Sequence, residues 1–338
     1  GPATLNEDFL RQTKTFGLDL LRINMSHTKI EDLEKIIQLI QWHTLVPICI
    51  DSEGAQLRCG RMKEGISFKQ EDCIKVHHND IVGNEKNISF YPIGITEQFR
   101  EGDVINIDFD SAQIMIWDKT ENGFNAIVTG NGSVGSNKAC DCNRELDLPA
   151  ITSKDKEAFT IAERYEIRDY ALSFTNEAQD IISLRNLFKH DIRLISKIET
   201  RKALRNLDSI LKETDEILID RGDLSRQVTI EVIPFLQKLI IERAKYFNKP
   251  VLVATNLLES MINHRMPTRA EANDIVSTLG MGADGLVLAA ETAIGKYPGA
   301  TINVVKTLWK YYDKWHTGTS IEDILGFLGP GIWNDGLK

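Results

Sequence analysis

The sequence predicts an α/β fold, namely a (β/α)8 barrel of the TIM type that carries an inserted small β-barrel domain. Short apolar runs alternate with longer stretches of helical period over most of the chain, which is typical of repeated βα units and a parallel sheet. Residues 59–147 interrupt that alternation with a period of two. The length of 338 residues and the 42% apolar content suit one large or two ordinary globular domains.

The first predicted barrel elements lie within residues 1–58. Residues 5–16 have apolar side chains at helical spacing, and residues 17–24 contain an apolar run that predicts a strand. Residues 30–40 repeat the helical spacing, and residues 46–51 predict a second strand. Helices and strands therefore alternate from the start of the chain, as they do in a βα series.

Residues 59–147 predict a β-rich domain inserted after the strand at 46–51. Apolar and polar residues alternate over 104–109, 114–117 and 125–128. Asn-Gly pairs stand between these runs at positions where hairpin turns are expected. A period of two with such turns predicts antiparallel strands, so we expect a compact β domain here.

Residues 148–316 complete the predicted barrel. The strands predicted here are 170–174, 192–196, 216–220, 251–255 and 285–289. The helices predicted around them are 177–189, 201–212, 230–248, 258–264, 270–281 and 299–315. The whole chain thus shows seven barrel strands, whereas a closed TIM barrel has eight. Because Gly1, Pro2 and Ala3 stand directly before a helix, we expect the first strand to lie upstream of Gly1. Residues 317–338 have little periodicity and are expected to form a loose tail.

Charge and composition exclude several classes of protein. The 49 acidic and 40 basic residues give a net charge of −9, which opposes binding to a nucleic-acid backbone. No apolar run approaches the roughly 18 residues that a membrane helix needs. The five cysteines are an odd number in a long chain, which favours free thiols in a reducing compartment. We therefore expect a cytoplasmic protein that binds neither nucleic acid nor membrane.

Polar side chains gather where the predicted barrel strands end. Catalytic groups of TIM barrels lie at the carboxyl ends of the strands. The polar residues at these ends are Arg22, Asn24, Ser26, His27, Asp51, Ser52, Arg58, Lys197, Glu199, Arg221, Asp223, Thr255, Asn256, Glu291 and Thr292. The alternative is that βα loops are polar in any barrel, but the set combines acids, bases and hydroxyls at one mouth. We therefore expect the active site there.

Lys197 and Glu199 are the most informative pair in this set. Residues 195–199 alternate, so these two side chains point to the same face of one strand. A buried lysine and glutamate are costly without a ligand or counter-ion. A divalent metal held by Glu199 and Asp223, with Lys197 beside a phosphate or an enolate, would explain all three charges. The alternative is a purely structural ion pair between Lys197 and Glu199.

Six motifs, in the same order along the chain, resemble those of the pyruvate kinase family. They are 22–27 (RINMSH), 195–199 (ISKIE), 221–224 (RGDL), 254–261 (ATNLLESM), 267–271 (PTRAE) and 291–293 (ETA). The resemblance extends over residues 1–315, and it identifies the insert at 59–147 with the mobile lid domain of that family. It also implies that this chain lacks the family's C-terminal regulatory domain and the first barrel strand.

The resemblance implies an activity and a role for each matching residue. The family transfers the phosphoryl group of phosphoenolpyruvate to ADP and produces pyruvate and ATP. Lys197 would stabilise the enolate, and Arg22 would contact the transferring phosphate. Thr255 would lie beside the pyruvate carbon that is protonated. The backbone at Gly222 and Asp223 would bind the carboxylate of the substrate. Chemistry of this kind needs positioning and charge neutralisation rather than a covalent intermediate.

The resemblance also implies metal and nucleotide sites. Glu199 and Asp223 would hold Mg²⁺ or Mn²⁺. The residues that match the family's K⁺ site are Asn24, Ser26, Asp51 and Ser52. Arg58, Lys138 and His27 match nucleotide-binding positions near the junction of barrel and lid.

The sequence departs from the family pattern mainly on the nucleotide side. Gln56 replaces a glutamate that is linked to K⁺ dependence, and Glu53 reverses a positive charge. Ile294 replaces a lysine expected after the ETA motif, and Asn176 replaces an arginine. The lid motif reads KACDCN at 138–143. The residues that match the metal, enolate and phosphoenolpyruvate sites are kept.

These observations favour a pyruvate kinase-like phosphotransferase that uses Mg²⁺ and binds phosphoenolpyruvate, pyruvate, ADP and ATP. One alternative is an enzyme that forms the same enolate but transfers the phosphoryl group to another acceptor, or that acts as a lyase or aldolase. Another is a non-catalytic relative. ATP formation distinguishes the first hypothesis, and metal-dependent substrate binding without ATP formation distinguishes the second. We also expect a homo-oligomer formed through the barrel.

Overall fold

The computed structural model describes residues 1–108 and 111–327. The strands are β1 (Leu21–Asn24), β2 (Ile48–Asp51), β3 (Arg58–Cys59), β4 (Ser67–Phe68), β5 (Cys73–His77), β6 (Asn87–Tyr91), β7 (Val104–Ile107), β8 (Ala112–Thr120), β9 (Gly123–Gly130), β10 (Gly132–Ser133), β11 (Cys140–Cys142), β12 (Asp169–Leu172), β13 (Arg193–Ile198), β14 (Glu216–Asp220), β15 (Val251–Ala254) and β16 (Gly285–Val287). The α-helices are α1 (Glu7–Phe16), α2 (Ile30–His43), α3 (Ser153–Arg164), α4 (Ala178–Arg185), α5 (Arg201–Arg205), α6 (Leu207–Glu213), α7 (Arg221–Gln227), α8 (Ile233–Tyr246), α9 (Arg269–Met281), α10 (Ala290–Ala293), α11 (Pro298–Lys314) and α12 (Ile321–Gly326).

The first sheet contains seven parallel strands in the order β1, β2, β12, β13, β14, β15 and β16. Each strand is hydrogen-bonded to the next one of this set along the chain. Because the strands are parallel, all their carboxyl ends lie at the same edge. All seven predicted strands are present, although β1 begins at Leu21 rather than at residue 17.

Helices cover the outer face of this sheet. In α2, the buried residues Leu33, Ile37 and Ile40 are spaced by four and three, so they share one face of the helix and join the main core. Local capping sets the helix ends. Asn6 accepts a hydrogen bond from the Phe9 amide at the start of α1.

A second, smaller layer of apolar side chains lies on the opposite face of the parallel strands. It consists of Cys49, Ala171, Ile195, Leu218 and Ala254, one from each of β2 and β12–β15. Asp51, Lys197 and Asp220 each follow a member of this layer by two residues in the same strand. Side chains two residues apart in a strand point to the same side. The polar groups therefore lie directly above this apolar layer.

The insert forms a second seven-stranded sheet in the order β11, β7, β8, β9, β5, β6 and β3. All neighbours are antiparallel except β5 and β6, which are parallel. The predicted runs at 114–117 and 125–128 lie in β8 and β9. The run at 104–109 corresponds to β7, but Phe109 lies outside the described residues. The sheet has its own core of apolar side chains.

Several helices differ from the sequence-based expectation. The helices α3 and α7 were not predicted, and the helix expected at 258–264 is a short 3₁₀ turn at Glu259–Ile262. The expected tail contains α12, which begins with a capping box between Ser320 and Asp323. Residues 328–338 of that tail lie outside the described residues. Among the helices of the described ranges, none is both long and apolar enough to cross a bilayer.

Candidate active site

Lys197 is the centre of a buried polar cluster at the carboxyl ends of the parallel strands. Lys197 is only 5% exposed to solvent. Its Nζ atom lies 2.7 Å from Oε1 of Glu199, 3.4 Å from Oδ2 of Asp220 and 3.6 Å from Oδ1 of Asp51. It also donates a hydrogen bond to the Ser173 hydroxyl at 3.2 Å. The structure therefore brings Lys197 and Glu199 together, as the alternation of 195–199 predicts.

The charge of Lys197 is maintained by its neighbours. Burial lowers the pKa of the ammonium, but Asp51, Glu199 and Asp220 outweigh burial and raise the pKa well above its usual value. Arg22 adds a second cation, because its Nη1 donates to Oδ2 of Asp51 at 3.0 Å. Two cations, Lys197 and Arg22, therefore lie among the carboxylates at the carboxyl ends of the strands.

Three carboxylates form a candidate metal site beside Lys197. Glu199, Asp220 and Asp223 each offer an oxygen atom, and these atoms all lie within 4.8 Å of one another. Burial, together with Asp220 and Asp223, raises the pKa of Glu199 to about 8 despite the opposing effect of Lys197. Burial and Asp220 also raise the pKa of Asp223. Hard oxygen ligands with excess negative charge fit Mg²⁺ or Mn²⁺.

Asp220 was missed by the sequence analysis. It is the last residue of β14 and was counted only as the end of an apolar strand. Its Oδ1 accepts a hydrogen bond from the Thr255 hydroxyl at 2.7 Å and from the Gly222 amide at 3.2 Å. Its position in the strand could have indicated its role. Asp220 follows Leu218 by two residues, so both side chains point to the same face of the sheet.

Thr255 has a backbone conformation that is rare for a β-branched residue. Its φ is +76°, and that of the next residue, Asn256, is +56°. Arg221 holds this segment, because its Nε and Nη2 donate to the Thr255 carbonyl at 3.1 and 2.7 Å. Arg221 is itself fixed by hydrogen bonds to Asp274. The strained turn therefore presents the Thr255 side chain to the cluster.

The four residues that match a K⁺ site lie at or just beyond the ends of β1 and β2. Asn24 is the register partner of Asp51, and its Oδ1 accepts a hydrogen bond from the Ser26 amide at 2.8 Å. The Ser52 hydroxyl accepts one from the Ser173 amide at 2.9 Å. Side-chain oxygens of Asn24 and Ser52 thus already accept hydrogen bonds from backbone amides. The Asp51 carboxylate is already paired with Arg22 and Lys197.

The residues that match nucleotide positions lie farther out, near the base of the insert. Arg58 is in β3, pairs with Ala139 through an isolated bridge and donates to the Asn137 carbonyl at 3.1 Å. Lys138 Nζ forms an ion pair with Asp108 at 2.6 Å. These two cations therefore stand on adjacent segments, Arg58 directly before the insert and Lys138 within it.

Three further positions that the family resemblance relates to the nucleotide are described by their local surroundings. His27 follows β1, and its amide donates to the Asn24 carbonyl at 3.2 Å. Glu53, which reverses the expected charge, forms an ion pair with Lys154 at 3.1 Å. Ile294 stands where a lysine was expected, and it is 61% exposed.

Comparisons with known proteins identify the family of the chain. The chain matches the family model described as pyruvate kinase, barrel domain, over residues 1–302. It is 33% identical over 324 residues to a pyruvate kinase of Thermotoga maritima, which covers 93% of this chain and 70% of that protein. It is 31% identical to plastidial pyruvate kinase 3 of Arabidopsis thaliana, over 91% of this chain and 56% of that protein. The chain therefore spans little more than half the length of some curated relatives.

A solved structure of a pyruvate kinase has a similar fold. The crystal structure of a pyruvate kinase from Cryptosporidium parvum matches this structure with a TM-score of 0.84 and 28% sequence identity. The match covers 94% of this chain and 68% of that one. Together with the order of the parallel strands, it confirms the predicted α/β barrel of the TIM type. The chain belongs to the pyruvate kinase family.

Proposed function

We propose that this chain is a Mg²⁺-dependent phosphotransferase that transfers the phosphoryl group of phosphoenolpyruvate to ADP and releases pyruvate and ATP. The observation that carries the proposal is the buried Lys197 ammonium, which stands beside Glu199 and Asp220 at the carboxyl ends of the barrel strands. Five free cysteines suit a reducing compartment such as the cytoplasm.

Each side chain would act through charge and position. Lys197 would balance the negative charge that develops on the enolate oxygen as the phosphoryl group leaves. Arg22 would orient the transferring phosphoryl group, since its guanidinium is fixed by Asp51. The amides of Gly222 and Asp223, in the first turn of α7, would bind the substrate carboxylate. Thr255 would lie beside the methylene carbon that becomes the methyl group of pyruvate.

Glu199 and Asp223 would hold the divalent metal. The bound ion would neutralise negative charge on the phosphate, which the carboxylates alone would repel. Asn24, Ser26, Asp51 and Ser52 would hold K⁺ if the protein uses that ion. Arg58 and Lys138 would contact the phosphates of the nucleotide, and closure of the insert would exclude water from the transfer.

A different phosphoryl acceptor is the second candidate. The exposed Ile294 and the pairing of Glu53 with Lys154 both reduce positive charge where ADP phosphates are expected. The cluster around Lys197 is unaffected by these changes. The enolate half of the reaction is therefore better supported than the nucleotide half.

Pyruvate formation from phosphoenolpyruvate and ADP in the presence of Mg²⁺ tests the proposal, with a coupled assay that consumes pyruvate. The wild type should be active, Lys197→Met should be inactive, and Lys35→Met should match the wild type because Lys35 is exposed on α2. Activity that persists in Lys197→Met would contradict the proposed chemistry. Pyruvate formed only with an acceptor other than ADP would establish the second candidate.

A further inference from the structure

One of the two amides proposed to bind the substrate carboxylate, that of Gly222, is already bonded to a carboxylate of the chain itself. Oδ1 of Asp220 accepts the Thr255 hydroxyl at 2.7 Å and the Gly222 amide at 3.2 Å. A substrate carboxylate bound to the same amide would place its oxygen where Asp220 Oδ1 now lies. The side chain of Asp220 therefore imitates the carboxylate of the substrate.

Gly222 is closely surrounded. A methyl group built on it would lie 2.8 Å from Thr255 Cγ2 and 3.4 Å from Asp220 Oδ1. Asp220 is itself 8% exposed and so is enclosed by its neighbours. An amide has one hydrogen to donate, so a substrate carboxylate accepts it fully only if Asp220 Oδ1 moves away.

The pairing of Asp220 adds to this competition. The Lys197 Nζ atom lies 3.4 Å from Asp220 Oδ2. A second carboxylate placed beside Asp220 would have to share that cation with it.

We propose that Asp220 weakens substrate binding in this protein by competing, as an internal carboxylate, for the Gly222 amide that binds the carboxylate of phosphoenolpyruvate or pyruvate. This inference rests on the proposed function and adds to it a residue that weakens binding of small carboxylate substrates. The Asp220 side chain is displaced when such a substrate binds, and the energy of displacement raises the dissociation constant.

A simpler role for Asp220 is structural, because it is also the N-cap of α7. The two roles predict opposite effects of substitution. Loss of a cap and of the Thr255 contact would loosen the site and weaken substrate binding. Loss of a competing carboxylate would strengthen it. Asp220→Asn separates the two further, because asparagine is an equally good N-cap and keeps an acceptor oxygen but carries no charge.

Calorimetric titration of phosphoenolpyruvate, and separately of pyruvate, into the protein with saturating Mn²⁺ tests this inference. We expect Asp220→Ala to bind phosphoenolpyruvate about tenfold more tightly than the wild type, with Asp220→Asn between them. The affinity for Mn²⁺ without substrate should not increase in either variant. Asp208→Ala is the matched control, since Asp208 is paired with Arg243 on the surface.

Equal or weaker substrate binding by Asp220→Asn, in a protein that melts like the wild type, would overturn the inference. That result, combined with normal ATP formation by the wild type, would leave the proposed function intact. If no variant binds phosphoenolpyruvate or pyruvate and the wild type forms no pyruvate, the proposed function and this inference both fail. Tighter binding in the variants of an inactive wild type would support the inference alone.

Discussion

The Lys197 ammonium lies 2.7 Å from Oε1 of Glu199, and both side chains are almost completely buried. Burying such a pair gains little stability by itself, because desolvation offsets most of the Coulomb attraction. The pair stands at the open end of the barrel, where Asp220 and Asp223 bring further negative charge to Glu199. The arrangement is therefore explained better by ligand chemistry than by folding.

Replacing the central lysine should separate catalysis from metal binding. We expect Lys197→Met to lower the turnover number by about 10²–10³-fold or more, because the developing enolate charge loses its preorganised cation. The affinity for Mn²⁺, measured by titration, should not fall, since the carboxylates of Glu199 and Asp223 remain. A variant that loses Mn²⁺ binding and activity together would instead assign Lys197 a role in building the metal site.

Stability without metal should depend on pH through Glu199. Its pKa is about 8 in the folded chain and close to 4.5 when unperturbed, so between these values the folded chain binds a proton that the unfolded chain releases. The free energy of unfolding should therefore fall as the pH rises from 4.5 to 8. Urea unfolding at several pH values measures this trend.

Mg²⁺ should reverse the trend, because the ion competes with the proton for Glu199. The rise in melting temperature on adding Mg²⁺ should be larger at pH 8 than at pH 6. Glu199→Gln should remove most of this difference, whereas Glu157→Gln, on the exposed face of α3, should keep it. A Mg²⁺ effect that is independent of pH would contradict the assignment of Glu199 as a ligand.

The loop after β2 should depend on one buried carboxylate. Asp155 accepts hydrogen bonds from the amides of Glu53 and Gly54 at 2.7 and 3.2 Å, and also caps α3 through Thr152. Asp155→Ala would leave these amides without their acceptor, so we expect a loss of about 3 kcal/mol in the free energy of unfolding.

Urea denaturation measures this loss as a lower midpoint with an unchanged slope. Glu157→Ala, two residues along the same helix and exposed, should change the free energy by less than about 0.5 kcal/mol. Equal stabilities of the two variants would show that the Asp155 contacts contribute nothing to the fold.

Restoring positive charge on the nucleotide side should improve ADP binding. Ile294 is 61% exposed, so Ile294→Lys is tolerated and adds a cation where the family resemblance expects one. We expect KM for ADP to fall by about three- to tenfold, with KM for phosphoenolpyruvate unchanged. Ile294→Gln, of similar length without charge, is the control. An unchanged KM for ADP in Ile294→Lys would favour a different acceptor.

Hydrophobic periodicity predicted most of the barrel. An apolar run of about five residues between two helical stretches is too short for a typical helix, so it predicts a buried strand. The alternation over 195–199 also predicted that Lys197 and Glu199 meet. Local strain was harder to foresee: the expected strand 251–255 ends at Ala254, because Thr255 takes a positive φ. The Thr255 carbonyl is held by Arg221, the first residue of α7, which is distant in sequence and invisible to local patterns.

Asp220 and α7 were missed for a related reason. The run at 216–220 was interpreted as a buried strand, so its terminal aspartate was not counted with the polar set. No helix was predicted at 221–224, although Asp220 caps a helix that begins at Arg221. The contacts of Asp220 with Lys197 and Thr255 show that this aspartate belongs to the site.

Phosphorus NMR of the protein incubated with phosphoenolpyruvate, ADP and Mg²⁺ follows the donor and the acceptor of the phosphoryl group in one sample. We expect the phosphoenolpyruvate signal to fall while the signals of ATP rise in equal amount, and Lys197→Met to show neither change. Loss of phosphoenolpyruvate with only inorganic phosphate produced would contradict transfer to ADP. Unchanged phosphoenolpyruvate in the wild type would contradict the proposed enolate chemistry as well.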